Sequence, residues 1–450
     1  MTVVVADTGD LEAIKKLACD RIDSNADRLI RVSKDILANP ETGFREFKSS
    51  KIITNELSDL GIPFEDSIAV TGIKATLHGA QPQSLNVAVL AEMDSLKVLD
   101  HPFADGHTNG AHACGHHCQI GMLLGVAVAL KAPEVLENLV GKVSLMALPA
   151  EEYIEIGYRN ELKKQGKIEF FGGKPEFIRL GHFDDVDIAM MTHTSSFPDL
   201  GKISLGGTNN GLIAKSIHFH GKASHAGSAP HLGVNALNAA MIALSAIHAQ
   251  RETYRDQDTI RVHPIITDGG LSVSSVPSDV RMETYVRGAS IDAFMSASQK
   301  VDRALRSGAL AVGGSVTIST LPGYLPIVNN TKVMDVYAAN ASSLVGKQHV
   351  YHRSHQTGST DMGDVSQLMP VIHPYVEAAS GVGHGKDYVI DDYELGVLTA
   401  SKIMAMTVID LMTEGPQNGH GLMKGYKPKL SKRDYLSLLR GMSKEEIFDQ

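Results

Sequence analysis

The sequence predicts an α/β fold: a larger domain built on buried strands, interrupted by a ferredoxin-like α+β unit. Three observations carry this. The run Val87-Ala88-Val89-Leu90-Ala91 and the stretch 142–148 are apolar throughout, as in parallel strands covered on both faces, and polar chemistry begins where each ends. From Leu212 the pattern becomes strand, helix, strand, strand, helix, strand, over 215–221, 234–249, 259–267, 279–287, 291–307 and 315–321. Glycine-rich Gly206-Gly207 and Asn209-Asn210-Gly211 before that pattern read as a hinge, and Pro322-Gly323-Tyr324-Leu325-Pro326 as the return. The larger domain is therefore expected to be discontinuous, residues 1–208 and 323–450, around an insert of 209–322.

The elements follow in order. Residues 11–38 have apolar residues at three- and four-residue steps, a helix ended by Asn39-Pro40. Residues 48–60 repeat the pattern and stop at Gly61-Ile62-Pro63, and alternation over 72–77 marks a strand before Gly79 and Pro82. The strand 87–91 delivers Asp94. A glycine-rich loop, His107 to His117, then carries Cys114 and His116 ahead of a helix over 119–131, whose start should favour a thiolate. The strand 142–148 ends in Pro149-Ala150-Glu151-Glu152. Adjacent residues leaving a strand point in opposed directions, so one glutamate can bind a metal while its neighbour faces a water. The charged stretch 153–181 reads as a solvated loop with a short helix rather than a lid. The strand 187–191 leads to His193, and glycines on both sides of His384 let the backbone bring that ring close to an ion. The apolar helix 395–412 should cover the sheet, with Cys118 as packing.

Taken singly, a histidine or cysteine is usually a satisfied core or surface residue, and paired glutamates are usually a solvated helix entry. The recurrence of thiolate, imidazole and carboxylate after two apolar strands and a glycine loop points instead to a divalent-metal site.

With 450 residues, 43% hydrophobic and 21% charged, the composition is that of a globular protein with a sizeable core. A net charge of -9 provides no basic field for nucleic acid or an acidic membrane. Met1 to Asp10 lacks the basic start of a signal peptide, and no apolar run is expected to span a membrane. Three cysteines are too few for a disulfide framework, so a cytoplasmic location is expected.

The strings A-E-M-D, H-A-C-G-H and P-A-E-E, together with Asn39-Pro40-Glu41-Thr42-Gly43-Phe44, Gly221-Lys222-Ala223-Ser224-His225-Ala226-Gly227 and Gly383-His384-Gly385, resemble peptidase family M20, in its aminoacylase, hippurate hydrolase and auxin-conjugate amidohydrolase group. The resemblance implies a zinc-peptidase-like domain with a mixed central sheet and helices on both faces, and an inserted lid or dimerisation domain. It implies Cys114, His116, Glu152, His193 and His384 as ligands of one or two ions, zinc or manganese. Glu151 would be the general base, and Asp94 would orient a ligand. His225 would steady the oxyanion, often across a dimer, and Arg287 would take a substrate carboxylate, with Asn235 and His231 as weaker substrate contacts. The implied reaction is hydrolysis of a C–N bond in a small carboxylate-bearing amide, by a homodimer or higher homo-oligomer. Two departures, His117 after C-G-H and M-D-S-L-K after the first strand, lie next to the expected metal. They leave open an aminohydrolase releasing ammonia from an aromatic amine such as 5-nitroanthranilate. A catalytically silent metal-stabilised binding protein is the alternative of another class.

Overall fold

The computed structural model describes residues 8–197, 200–413 and 418–449. Most of the opening stretch read above for a signal peptide, residues 1–7, lies outside them. The described chain divides into two compact units: residues up to 207, 328–354 and 365–429 in the first, and 208–327, 355–364 and 430 onward in the second.

The first unit is organised on a mixed six-stranded sheet in the order Phe64–Ile68, Gly72–His78, Lys142–Leu148, Asn86–Glu92, Ile188–Met190, Val371–Ile372. The first three are joined antiparallel and the remaining pairings are parallel. Every residue of Asn86–Glu92 is buried, as its unbroken apolar run required. The helix His116–Lys131 packs on this strand and on the helices Thr8–Asp23, Ala26–Leu37 and Ala400–Met412. The expected single helix over 11–38 is thus two. Asp20 carbonyl accepts from both the amide and the hydroxyl of Ser24, and the Asn25 side chain donates to the Arg21 carbonyl, so the first helix terminates there. Residues Glu394–Met412 are long and apolar enough to cross a membrane, yet 89% of that span is buried inside the protein, where it is a core helix.

The stretch 153–181 departs from expectation. It contains two helices, Ile156–Lys164 and Gly173–Leu180, and its charged residues Arg159, Lys174 and Glu176 are fully buried beside Phe170, Phe171 and Phe177. A solvated loop was the wrong reading because each of these charges is buried with a partner, Glu176 with Arg179 and the amides of Glu169 and Phe170. Arg159 donates to the carbonyls of Ala150, Glu152 and Phe171, and Lys174 pairs with Glu92.

The second unit holds an antiparallel sheet in the order Arg261–Val262, Asp279–Gly288, Gly211–His220, Ser315–Pro322, with Ile265–Asp268 also on Asp279–Gly288. The helices Ala236–Ala249 and Ile291–Val312 pack on each other and on this sheet. Counted from Ser315–Pro322 across the sheet, the strands are fourth, first, third and second in chain order, the ferredoxin-like arrangement that the pattern from Leu212 implied. One correction applies to the tail. Lys444–Phe448 adds a strand beside Ser315–Pro322, so residues from 430 onward belong with this sheet and not with the first unit. An amphipathic helix, Lys432–Met442, precedes that strand and buries Tyr435, Leu439 and Met442.

Candidate metal centre

Cys114 and His116 enter the site because the residue between them is a glycine. Gly115 has φ +83°, and a Cβ there would lie 2.0 Å from Thr194 Oγ1. Only glycine lets the loop press against the strand His193–Thr194, and this brings Cys114 Sγ to 3.4 Å from His193 Nε2. Asp94, fully buried just beyond its strand, holds the other side. Its carbonyl lies 2.9 Å from His116 Nδ1, Oδ1 lies 3.2 Å from the same nitrogen, and Oδ2 accepts from the Glu152 amide at 2.9 Å.

The two glutamates separate as opposed directions from a strand end require. Ala150 adopts φ 56°, a left-handed turn that sets their exits. Glu152 groups with Cys114 and His384, with its Oε1 3.4 Å from His384 Nε2, whereas Glu151 groups with Glu92 and His116. A further group is Cys114, His116 and His193, and within each group the donor atoms all lie within 4.8 Å of one another. His384 itself adopts φ 65°, and its amide donates to the Ala113 carbonyl at 2.9 Å, fastening its turn to the metal-binding loop. The flanking glycines were expected to provide that closeness; the strained backbone is at the histidine.

Hydrogen bonding fixes what these groups offer. A ring nitrogen facing a carbonyl must donate, so the Nδ1 hydrogens of His116 and His193 are committed to the carbonyls of Asp94 and Thr194, which turns both Nε2 atoms into the cluster, that of His193 facing Cys114 Sγ. Asp94 Oδ1, His116 Nε2 and Glu152 Oε1 are buried without a hydrogen bond. A cysteine, two imidazoles and a carboxylate that converge, three of whose neighbouring atoms are unpartnered, fit a divalent metal ion. Protonation is consistent with this. Burial works against a charge on His116, but Glu92 and Cys114 outweigh it and raise its pKa well above the ordinary value. A proton and an ion compete for that one lone pair. Burial and Glu152 push the Cys114 thiol up, so the helix start does not make it a thiolate, and a cation would reverse the shift. His193 is lowered to about 4 by burial and by His116, which keeps it a neutral ligand.

Residues 88–407 match the sequence profile of peptidase family M20/M25/M40. The chain belongs to that family. As a member it is a metal-dependent hydrolase acting on C–N bonds. It is similar to Xaa-Arg dipeptidase of Mus musculus, 29% identical over 462 residues covering 95% of both chains. It is also similar to IAA-amino acid hydrolase ILR1-like 6 of Arabidopsis thaliana, 27% identical over 384 residues, 82% of this chain and 77% of that one. A solved dinuclear metal-binding peptidase of the M20 family from Bacillus subtilis superposes with TM-score 0.63 at 20% identity, covering 87% of this chain and 99% of that one, a likeness of fold.

In this M20 hydrolase the remaining candidates belong to the second unit. His225 is exposed, and its Nδ1 accepts from the amides of Gly227 and Ser228. Arg287 ends its strand and lies over the Tyr285 ring at 5.3 Å. His231 is exposed in a short turn. Asn235 is engaged as a helix cap, accepting from the Asn238 amide at 3.0 Å.

Sequence reasoning missed Glu92 and Lys174. Glu92 Oε1 pairs with Lys174 Nζ at 2.5 Å, Oε2 accepts from Gln119 at 2.7 Å, and Oε2 lies 3.2 Å from His116 Nε2. Burial alone would raise the Glu92 pKa, but Lys174, His116 and His193 hold it below the carboxylate range. A signal existed for Glu92, a charge at the end of a fully apolar strand, which must be paired. None existed for Lys174. His117 was placed beside the metal and is not there. One step along a helix turns a side chain by about 100°, so it faces away from the His116 side, with its Nε2 3.2 Å from Tyr393 Oη.

Proposed function

We propose that this M20 enzyme cleaves the amide bond of a small carboxylate-bearing substrate, a dipeptide or N-acyl amino acid, with Glu151 as general base. The observation that carries the reading is the separation of Glu151 and Glu152 into different donor groups. Glu152, Cys114, His116, His193 and His384 are proposed to hold one or two ions, and the sharing of Cys114 between two groups suits a pair. Thiolate and imidazole favour zinc, while the carboxylates also admit manganese. Such an ion polarises a carbonyl and lowers the pKa of water from 15.7 toward about 7. Glu151 accepts the attacking water's proton and returns it to the leaving nitrogen. Asp94 holds His116 in the tautomer that presents Nε2, and Arg159 fixes the carbonyl of Glu152. His225 is assigned to the oxyanion and Arg287 to the substrate carboxylate.

The names of relatives that act on dipeptides and amino-acid conjugates support amide cleavage over deamination of an aryl amine. Exposed Leu271 and Val273 beside the edge strand Ile265–Asp268 support a homodimer through the second unit, and three free cysteines support a reducing cytoplasm. The test is a panel of dipeptides, N-acyl amino acids and nitroaromatic amines given to metal-loaded wild type and Glu151→Gln, scored for amine and for ammonia. Wild type should release amine from the first two classes, and Glu151→Gln should lose about 10²–10⁴-fold in turnover at unchanged metal content. Ammonia from the nitroaromatics alone, or an active Glu151→Gln, would overturn the reading.

A further inference from the structure

The far side of the metal-binding loop encloses a second site. A cavity of about 440 Å³ lies within the first unit, in the size range of small-molecule pockets. Leu37, Tyr388, Ile390 and Tyr393 give it apolar, largely aromatic walls, and His112 and His117 form its buried end. Both imidazoles are 98–99% buried. Neither ring nitrogen of His112 has a hydrogen-bond partner, nor does His117 Nδ1. Every imidazole carries at least one N–H, so a donor stands unsatisfied beside the apolar walls unless something in the cavity accepts it. The third histidine, His101, is satisfied, with Nε2 on the Tyr388 carbonyl and Nδ1 accepting the Phe103 amide. It leaves no three-histidine metal site here.

At the other end stands Lys34, exposed, its Nζ 5.0 Å over the Tyr393 ring, with no carboxylate partner among the described residues. An apolar aromatic slot with a buried polar end and a cation at its rim has the complement of one kind of molecule. We propose that this cavity binds a small aromatic carboxylic acid bearing a ring hydroxyl, its carboxylate at Lys34, its ring among Tyr388, Tyr393 and Leu37, and its hydroxyl oxygen accepting from the His112 N–H. The site is separate from the metal cluster but joined to it. Tyr388 Oη bonds Thr194 Oγ1 at 2.8 Å, and Thr194 Oγ1 also donates to the Cys114 carbonyl at 3.3 Å. Occupancy therefore bears on the loop that positions Cys114.

The test is equilibrium binding to the metal-loaded protein of 4-hydroxyphenylacetate, phenylacetate and 4-hydroxyphenethylamine, by calorimetry and by ligand-observed NMR. The three probes should bind in that order, the first at least tenfold tighter than the last. Lys34→Glu, an exposed change, should weaken 4-hydroxyphenylacetate at least tenfold. Leu37→Trp, which fills the slot, should abolish its binding while metal content and the thermal unfolding midpoint persist. No saturable binding of 4-hydroxyphenylacetate, or binding indifferent to both substitutions, would overturn the proposal. Neither result depends on which substrate the metal centre cleaves.

Discussion

Among the described residues two lysines are completely buried against a carboxylate, and they differ in what the carboxylate touches. Lys174 lies 2.5 Å from Glu92 in the first unit, and Lys215 lies 2.6 Å from Asp302 in the second. The second pair is closed upon its own sheet and helix. Lys215 also donates to Thr320 at 2.9 Å, and Lys444, on the strand added by the chain's tail, approaches Asp302 at 3.6 Å. The first pair is open at one end: Glu92 spends its remaining oxygen on Gln119 and on His116, a proposed ligand. A buried ion pair is weak evidence for stability as such, because the desolvation of two charges offsets their attraction. The difference lies in which groups each pair holds still. One orients the imidazole of His116, a proposed ligand, and the other fastens a helix and a terminal strand to a sheet.

Three experiments sharpen or break that contrast. The largest effect is expected from Lys174→Met, which leaves Glu92 an unpaired buried charge beside His116. Metal affinity or turnover should drop about 10–100-fold, and unfolding should become easier by about 3–5 kcal/mol. Metal titration and steady-state kinetics on the folded fraction separate the two, and unaltered kinetics would make the pair merely structural. Lys215→Met should cost a similar 3–5 kcal/mol in denaturant unfolding, with metal content and turnover per folded molecule unchanged. A loss of metal from that variant would remove the distinction between the two pairs.

The smallest effect concerns Glu46, buried under the same strand end and free of any lysine. Burial and Asp94 push its carboxyl up to about 8, against hydrogen bonds from Thr71 and the Ala150 amide. Because the folded pKa exceeds the ordinary 4.5, the folded protein holds a proton that the unfolded chain releases between those values. That stabilisation is complete below about pH 4.5 and is lost as pH rises through about 8. Relative to Glu46→Gln, whose amide is neutral throughout, wild type should lose about 4 °C of Tm between pH 5 and 8. Parallel Tm curves over that interval would mean that Glu46 folds ionised.

Much of the centre was legible because its residues stand where local chain geometry changes. Cys114, His116 and Glu152 each follow a buried apolar run or a glycine-rich loop, and such runs signal strands that must end at a polar boundary. The inserted unit was legible for a related reason, since alternating and helical periods switch in a fixed order from Leu212. Where a charge meets its partner only in the folded chain, reading failed. Lys174 and Arg159 look like solvent-facing charges until Glu92 and the carbonyl of Glu152 are brought to them. The terminal strand Lys444–Phe448, rich in charge, gives no local hint that it pairs with Ser315–Pro322.

By itself, then, the amino-acid order determined the metal-binding chemistry, the strands that deliver it and the existence of an inserted α+β unit. These depend on residue type and on periods of two or 3.6 residues, which a local stretch carries entirely. Tertiary structure alone decided that His117 turns away from His116 to line a cavity and that the stretch 153–181 is packed inside. It also decided that Glu92 is clamped between Lys174 and His116. Each of those depends on desolvation by residues tens to hundreds of positions away, and whether a charge or an imidazole is buried is fixed only when the fold closes over it.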